Sequence, residues 1–131
     1  MRHARRVFAV ALLAALAWVL APVAEAQPPI RIGPSLAQTG AYAEAGQSHL
    51  RGYQLCVKHT SDKGGLLGRK LELVAYDDGS DAATAVRLYE RLITQDKVDL
   101  VLGPFSAPIT DAVADVTEKY RMPMVAHGTA T

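Results

Sequence analysis

The stretch LELVAYDDGSDAATAVRLYERLITQDKVDLVL, residues 71–102, decides the fold. It begins with a short apolar run of β-favouring residues, 71–76, which ends at the turn-forming residues 77–79. An amphipathic helix follows, because apolar residues then recur at helical spacing, and residues 98–102 form a second apolar run. The residues of this helical pattern are Ala85, Leu88 and Leu92.

The same alternation continues on both sides of this stretch. Residues 30–36 and 122–126 are further β-type runs, and each is joined to the central stretch by a helical pattern. On the first helix the face predicted to pack on the sheet carries Gly52, Leu55, Cys56 and His59. On the last helix it carries Ile109, Val113, Val116 and Tyr120. Because neighbouring parallel strands need crossover connections, the order β-α-β-α-β-α-β predicts an α/β fold, a three-layer parallel sheet with βα repeats.

Composition excludes several classes of protein. The 131 residues are 50% apolar and carry 14 Lys and Arg against 13 Asp and Glu, so there is no basic excess that would hold a nucleic acid. Cys56 is the only cysteine, so no intramolecular disulfide can form and stability must come from packing.

The first 26 residues are predicted to be a secretory signal peptide rather than part of the fold. Arg2, Arg5 and Arg6 precede the apolar residues 7–20, and Ala24-Glu25-Ala26 is typical of a cleavage site. The alternative of a retained membrane anchor is disfavoured, because the apolar run of about 14 residues is shorter than the roughly 20 that span a bilayer. We therefore expect an exported domain over residues 27–131, which carries 11 basic and 12 acidic residues.

Ligands bind parallel sheets at the carboxyl ends of the strands, so the polar residues there are the first candidates for a ligand site. Asp77 and Asp78 could hold a metal or accept a phosphoryl group, but the neighbouring strand ends offer no further carboxylates. A solvated strand end with helix-capping acids is the favoured interpretation. The glycine-rich residues 64–68 follow a helix and open a strand, the reverse of a phosphate-binding loop, and predict a turn.

Two other groups of residues could form a metal site or a catalytic pair, but simpler interpretations are favoured. His49, Cys56 and His59 share a helix face, but three ligands without a fourth favour a buried thiol with flanking histidines over a metal site. Ser106 and His127 could form a nucleophile and base, yet no third residue or Gly-x-Ser-x-Gly elbow accompanies them. The sequence thus predicts neither catalysis nor a cofactor or metal.

Five segments, in this order and spacing, resemble the leucine/isoleucine/valine-type periplasmic solute-binding proteins, which are type I binding proteins of ABC importers. They are residues 39–43 (TGAYA), 64–73 (GGLLGRKLEL), 77–81 (DDGSD), 103–106 (GPFS) and 123–126 (PMVA). The resemblance implies a two-lobed protein that closes over a small solute. Residues 27–131 would form most of its first, N-terminal lobe, without the second.

The resemblance also implies positions for the ligand site. Ser106 matches the first residue of the family's serine pair, and Ala107 matches the second, where only a backbone amide could serve. Thr131, or Thr129 after a one-residue shift, matches the threonine of the fourth strand end. Tyr42 would cover the solute, since Ala45 occupies the usual aromatic position, and Phe105 would add an apolar wall.

The function implied by the resemblance is periplasmic solute binding for an ABC uptake system. Its partners would be a small amino acid or related carboxylate and an ABC permease in the inner membrane. A ligand-sensing module for an extracytoplasmic receptor is an alternative, and an exported α/β enzyme is a more remote one.

Overall fold

The computed structural model describes residues 27–127, so the predicted signal peptide and the residues from Gly128 onward lie outside the described part of the chain. Strands and helices alternate within it. Their bounds are β1 Ile30–Leu36, α1 Ala43–Asp62, β2 Leu71–Leu73, β3 Tyr76–Asp77, α2 Ala82–Thr94, β4 Leu100–Leu102, α3 Ala107–Lys119 and β5 Met124–Val125.

The strands form a parallel sheet in the order β2-β1-β4-β5, with β3 also paired to β1. The predicted α/β sheet with alternating helices is therefore confirmed. β1, the first strand in the sequence, occupies an interior position and pairs on both sides.

The strand predicted over residues 71–76 is divided into β2 and β3 at Val74 and Ala75. Ile30 pairs with Leu71 and Ser35 with Tyr76, the same offset of 41 residues, so β2 and β3 continue one register. The Val74 amide donates to the Ile32 carbonyl at 2.9 Å, but the next residue of β1 that would donate back is Pro34. Because proline has no N–H, the ladder is interrupted there.

One face of the sheet carries the hydrophobic core. Helices α2 and α3 pack against each other and against β4 through their predicted apolar faces, except that Tyr120, at the C-cap of α3, is exposed. The buried residues of this cluster are Ala85, Tyr89, Leu92, Val98, Val101, Ile109, Val113 and Val116. The Tyr89 hydroxyl donates to the Leu102 carbonyl at 2.5 Å, which satisfies the one polar atom that this side chain brings into the core.

The other face is covered by α1, and here the predicted helix face is wrong. Leu55 is 68% exposed, and Cys56, expected to be a buried thiol, is also exposed. Gly46 is instead the buried residue of this helix, and a Cβ there would lie 1.9 Å from the Ala37 carbonyl oxygen. This close approach turns the helix so that Tyr53, rather than Leu55, faces the sheet.

The turn predicted at residues 64–68 is confirmed. Leu66 and Arg69 exchange backbone hydrogen bonds of 2.8 and 2.9 Å, which closes the connection between α1 and β2. Over residues 27–127, none of the helices combines the length and the apolar character needed to cross a bilayer.

Candidate functional site

The candidate site lies where the direction of the chain across the sheet reverses. From β1 the chain moves to β2 on one side, and from β3 it crosses back to β4 on the other side of β1. In sheets of this kind a crevice opens outside the carboxyl ends of the strands at the reversal. The β1–α1, β3–α2 and β4–α3 connections meet at this crevice.

The β1–α1 connection is held by residues that follow β3. The Asp77 carboxylate accepts from the Gln38 amide at 2.9 Å, the Thr39 amide at 3.2 Å and the Thr39 hydroxyl at 2.8 Å. Ser80 Oγ donates to the Thr39 carbonyl at 2.9 Å and accepts from the Tyr42 amide at 3.0 Å. The acidic motif therefore braces the loop that presents Tyr42.

The acidic residues of this motif differ in environment. Burial alone would raise the pKa of the Asp77 carboxyl, but hydrogen bonds from Gly79, Thr39 and Gln38 outweigh it and the pKa is lowered. Asp78 is only 2% exposed and accepts from Ser35 Oγ at 3.0 Å, and burial raises its pKa. The prediction of a solvated strand end is therefore wrong for Asp78.

The predicted helix cap is confirmed at Asp81. Its carboxylate accepts from the Thr84 amide at 2.7 Å, at the N-terminus of α2. Ser80, the other candidate, is occupied by the brace on the β1–α1 loop.

Aromatic and imidazole rings line the boundary between α1 and the strand ends. Tyr42 meets Phe105 edge to face at 5.6 Å, and His49 lies 5.7 Å from Phe105, between ring centroids. His127 stacks on His49 at 4.3 Å and meets Tyr53 at 5.5 Å. We call these five rings, Tyr42, Phe105, His49, His127 and Tyr53, the ring seam.

An open cleft of about 400 Å³ borders the Tyr42 end of the seam. Two predicted ligand contacts, Tyr42 and Phe105, form its apolar wall, and Tyr42 remains 37% exposed. The other lining residues are Ala41, Glu44, Ala45 and Ser48. The small side chain of Ala45 leaves room at the place where the resemblance predicted an aromatic ring.

Ser106 lies at the N-cap position of α3 in a strained backbone conformation. Its φ is 91° and its ψ 142°, a region occupied almost only by glycine. The Ser106 carbonyl accepts from the Thr110 amide at 3.0 Å, while its buried hydroxyl has no hydrogen-bond partner among residues 27–127. Ala107 begins the helix, where the first backbone amides have no partner within the helix.

His127 follows β5 and shares the edge of the sheet with Ser106. Its two buried ring nitrogens make no hydrogen bond of normal geometry within the described residues, and Ser106 and His127 do not bond to each other. Burial and the neighbouring His49 lower the pKa of His127, against a smaller opposing effect of the Gly103 backbone. A nucleophile and base would need the mutual hydrogen bond that this pair lacks.

The remaining predicted positions are of two kinds. Thr129 and Thr131 lie outside the described residues. Cys56 and His59 are exposed on α1, away from the half-buried His49, and residues 27–127 contain no cluster of three or more potential metal ligands. His127 was considered in the sequence only as a catalytic base, although its place directly after the last strand could have marked it as a ligand contact.

Comparison with known proteins identifies the family and agrees with the resemblance noted in the sequence. Residues 29–131 match the family described as Periplasmic binding protein. An amino acid binding protein of Pseudomonas aeruginosa is 33% identical over 88 residues, 67% of this chain and 24% of that protein. The Leu/Ile/Val-binding protein of Escherichia coli K12 is 30% identical over 82 residues, 63% of this chain and 22% of that protein.

A solved structure agrees with the fold. The branched-chain amino acid transporter substrate binding protein LivJ from Streptococcus pneumoniae, in complex with isoleucine, has a TM-score of 0.76 at 30% identity. The alignment covers 79% of this chain and 30% of that chain. The chain spans about a quarter of the length of the curated relatives it matches.

The chain belongs to the periplasmic binding protein family and has the parallel α/β fold of its type I members. These relatives are solute-binding proteins and not enzymes.

Proposed function

We propose that this protein is the extracytoplasmic solute-binding component of an ABC uptake system. Its solute is a small amino acid or a related molecule with a carboxylate, enclosed between two lobes. Residues 27–131 contribute the first lobe, and the complex with solute docks on a permease in the inner membrane. Family membership supports the class, and the geometry of the strand ends supports the kind of solute.

The observation that carries the proposal is the unpaired polarity at the start of α3. The buried Ser106 hydroxyl lacks a partner in the described part of the chain, and it stands beside the first turn of the helix, where Ala107 and Ile109 have free amides and Pro108 has none. A buried polar group without a partner costs about 1–3 kcal/mol. A carboxylate held there accepts hydrogen bonds from the hydroxyl and the amides, and it also lies favourably in the field of the helix N-terminus.

The rest of the pocket is suited to the apolar part of such a solute. Tyr42 and Phe105 offer ring surfaces next to the anchor, and Ala45 leaves space between them and α1. Ala107 has no hydroxyl, so its backbone amide is its contribution. We propose Thr131, or Thr129, which come after β5 in the sequence, as the remaining anchor.

Removal of the Ser106 hydroxyl tests the anchor in the longest form of the protein that its gene encodes. We expect Ser106→Ala to weaken binding of L-leucine or L-isoleucine by about 1–3 kcal/mol in calorimetry, because the carboxylate loses a donor. Ser106→Gly should weaken binding by the same amount. It should also unfold at a higher temperature, because glycine relieves the strain at φ 91°.

Thr94→Ala is the matched control, because it removes an exposed hydroxyl at the far end of α2. Wild-type affinity in both Ser106 variants would show that the anchor is misplaced.

Export is the second part of the proposal. We propose that residues 1–26 are removed as a signal peptide and that the mature protein is periplasmic. Mass spectrometry of protein recovered from the periplasm should find Gln27 at or near the N-terminus. A mature product that retains Arg2, Arg5 and Arg6 would contradict this.

A further inference from the structure

His127 is a half-buried side chain whose two ring nitrogens are buried, and the fold alone does not explain its presence. It stacks on His49 at 4.3 Å and touches the edge of Tyr53, so its ring has the apolar contacts of a core residue. Its two nitrogens are nevertheless buried and make no hydrogen bond of normal geometry within residues 27–127, where the nearest polar influence besides His49 is the Gly103 backbone. An apolar ring would fill the same space without that cost, so the nitrogens call for another explanation.

The position of His127 supplies one. β5 and β4 are adjacent and parallel, and the Gly103 amide donates to the Val125 carbonyl at 2.8 Å. His127 therefore leaves the sheet at the same edge as the residues that lead to Ser106. The ring seam connects the two, because Phe105, next to Ser106, lies against His49, which carries His127.

Resting on the proposed solute-binding function, we propose that His127 contacts the carboxylate of the solute together with Ser106. The site then takes carboxylate anions in preference to the corresponding uncharged amides, and it takes up a proton on binding.

The charges around His127 determine the direction of the proton linkage. From α1 it is faced by His49 and Tyr53, and from the end of β4 by the backbone of Gly103, which does not titrate. Glu44 is on the first turn of α1 and lines the outer cleft rather than the seam. No carboxylate of residues 27–127 belongs to the ring seam, so the solute itself supplies the negative charge that favours protonated His127.

His49 sets the state of the free site. Its Nδ1 lies 2.8 Å from the Ala45 carbonyl, which can only accept, so Nδ1 carries a proton. Stacked imidazoles resist double protonation, and burial disfavours the charged form further, so His127 is neutral without solute at neutral pH. Binding of an anion raises its pKa, and affinity therefore increases as the pH falls.

The experiment measures affinity in the longest form of the protein that its gene encodes. The carboxylate probes are L-isoleucine and benzoate, and benzamide is the uncharged counterpart of benzoate, each titrated at about pH 5.5 and about pH 8, on either side of the ordinary histidine pKa. We expect carboxylates to bind about tenfold more tightly at the lower pH, which corresponds to a shift of one pKa unit. Benzamide should bind weakly at both.

Histidine variants assign the effect. His127→Gln should bind carboxylates with the same affinity at both pH values. His49→Gln removes the like charge, so the pH at which affinity begins to rise should move upward. His59→Gln, an exposed histidine of the same helix, should behave as wild type and is the matched control.

The possible failures are distinguishable. Carboxylates that bind with no dependence on pH, amides that bind as well as carboxylates, or a pH dependence retained in His127→Gln would each overturn this inference and leave solute binding intact. If none of the probes binds at either pH, the proposed function fails and the inference with it. Should His127→Gln not fold, an unshifted pH profile in His49→Gln overturns the inference.

Discussion

The two faces of the sheet are built in different ways. On the α2 and α3 face, Tyr89, Leu92, Val101 and Val113 are completely buried. On the α1 face, a 20-residue helix has Gly46 as its buried residue, and an apolar groove of about 210 Å³ remains between the helix and the sheet. The groove is lined by Ile32, Tyr53, Cys56, Val57, Leu71, Leu73 and Leu102.

The comparison separates the residues that stabilise the fold from those that border the candidate site. The α2 and α3 face supplies a close-packed core, in which the loss of even one methylene group lowers stability. The α1 face holds its helix by one close backbone contact and by rings that also border the cleft. We therefore expect substitutions on the first face to change stability, and those on the second to divide between stability and binding.

The largest effect should come from the core face. Leu92→Ala removes a fully buried side chain that packs among α2, β4 and α3, and should lower the free energy of unfolding by about 2–5 kcal/mol. Leu55→Ala, on the exposed side of α1, should change it by less than about 0.5 kcal/mol. Urea unfolding monitored by circular dichroism measures both. Equal losses in the two variants would mean that α1 packs through the Leu55 face after all.

The second effect concerns the contact that holds α1. Gly46→Ala places a methyl group 1.9 Å from the Ala37 carbonyl oxygen, so the helix and the connection that follows β1 must separate, at a cost of about 1–3 kcal/mol. Gly52→Ala, in the same helix with no atom within 4 Å of the new Cβ, should stabilise the protein by about 0.5–1 kcal/mol. Denaturant unfolding should show that the two substitutions change the free energy of unfolding in opposite directions. A stabilising Gly46→Ala would contradict the close contact that sets the rotation of the helix.

The smallest expected effect on stability concerns Asp77 and Asp78, at the carboxyl end of β3. The lowered pKa of Asp77 means that its ionised form stabilises the fold above the unfolded pKa of about 3.9, and that this stability is lost as the pH falls through the lower folded value. Asp77→Asn should therefore destabilise the fold at neutral pH, by less than about 1 kcal/mol because Asp77 is exposed and solvent screens its charge, and should have no effect in acid.

For Asp78, ionisation has the opposite effect on stability. Its raised pKa means that ionisation opposes folding above the folded value, and that this cost disappears as the pH falls below the unfolded value. Asp78→Asn, which resembles the protonated acid, should be neutral or stabilising by up to about 1 kcal/mol at neutral pH and equal to wild type in acid. Thermal unfolding across the pH range measures both variants. Parallel pH profiles for Asp77→Asn and Asp78→Asn would contradict the assignment.

The order of elements could be predicted from the sequence because strand and helix periods differ clearly in it. The rotation of α1 could not, because it depends on a contact between Gly46 and Ala37 that leaves no periodic signal. Leu55 is apolar but exposed and therefore indicated the wrong face, whereas Cys56, although exposed, lines the groove beside Tyr53. The division of the second strand follows from Pro34 on its neighbour, and a single sequence does not show which strand lies beside a proline.

The candidate site divides in the same way. Tyr42 and Phe105 were predicted as ligand contacts, and the structure brings them to 5.6 Å of each other, because both connections open at one edge of the sheet. The strain at Ser106 and the stacking of His127 on His49 depend on distances between segments far apart in the sequence. The different environments of Asp77 and Asp78 arise because adjacent residues point to opposite sides at the end of a strand.

The interior place of β1 has a consequence for the order in which the chain folds. Ile30 finds its partner Leu71 only 41 residues later, and Ile32 finds Leu100 only 68 residues later. During synthesis this strand emerges first and remains unpaired until most of the lobe has followed. Such long loops make the nucleus slow to form. For the export proposed above, this delay keeps the chain in a form that a translocation channel can thread.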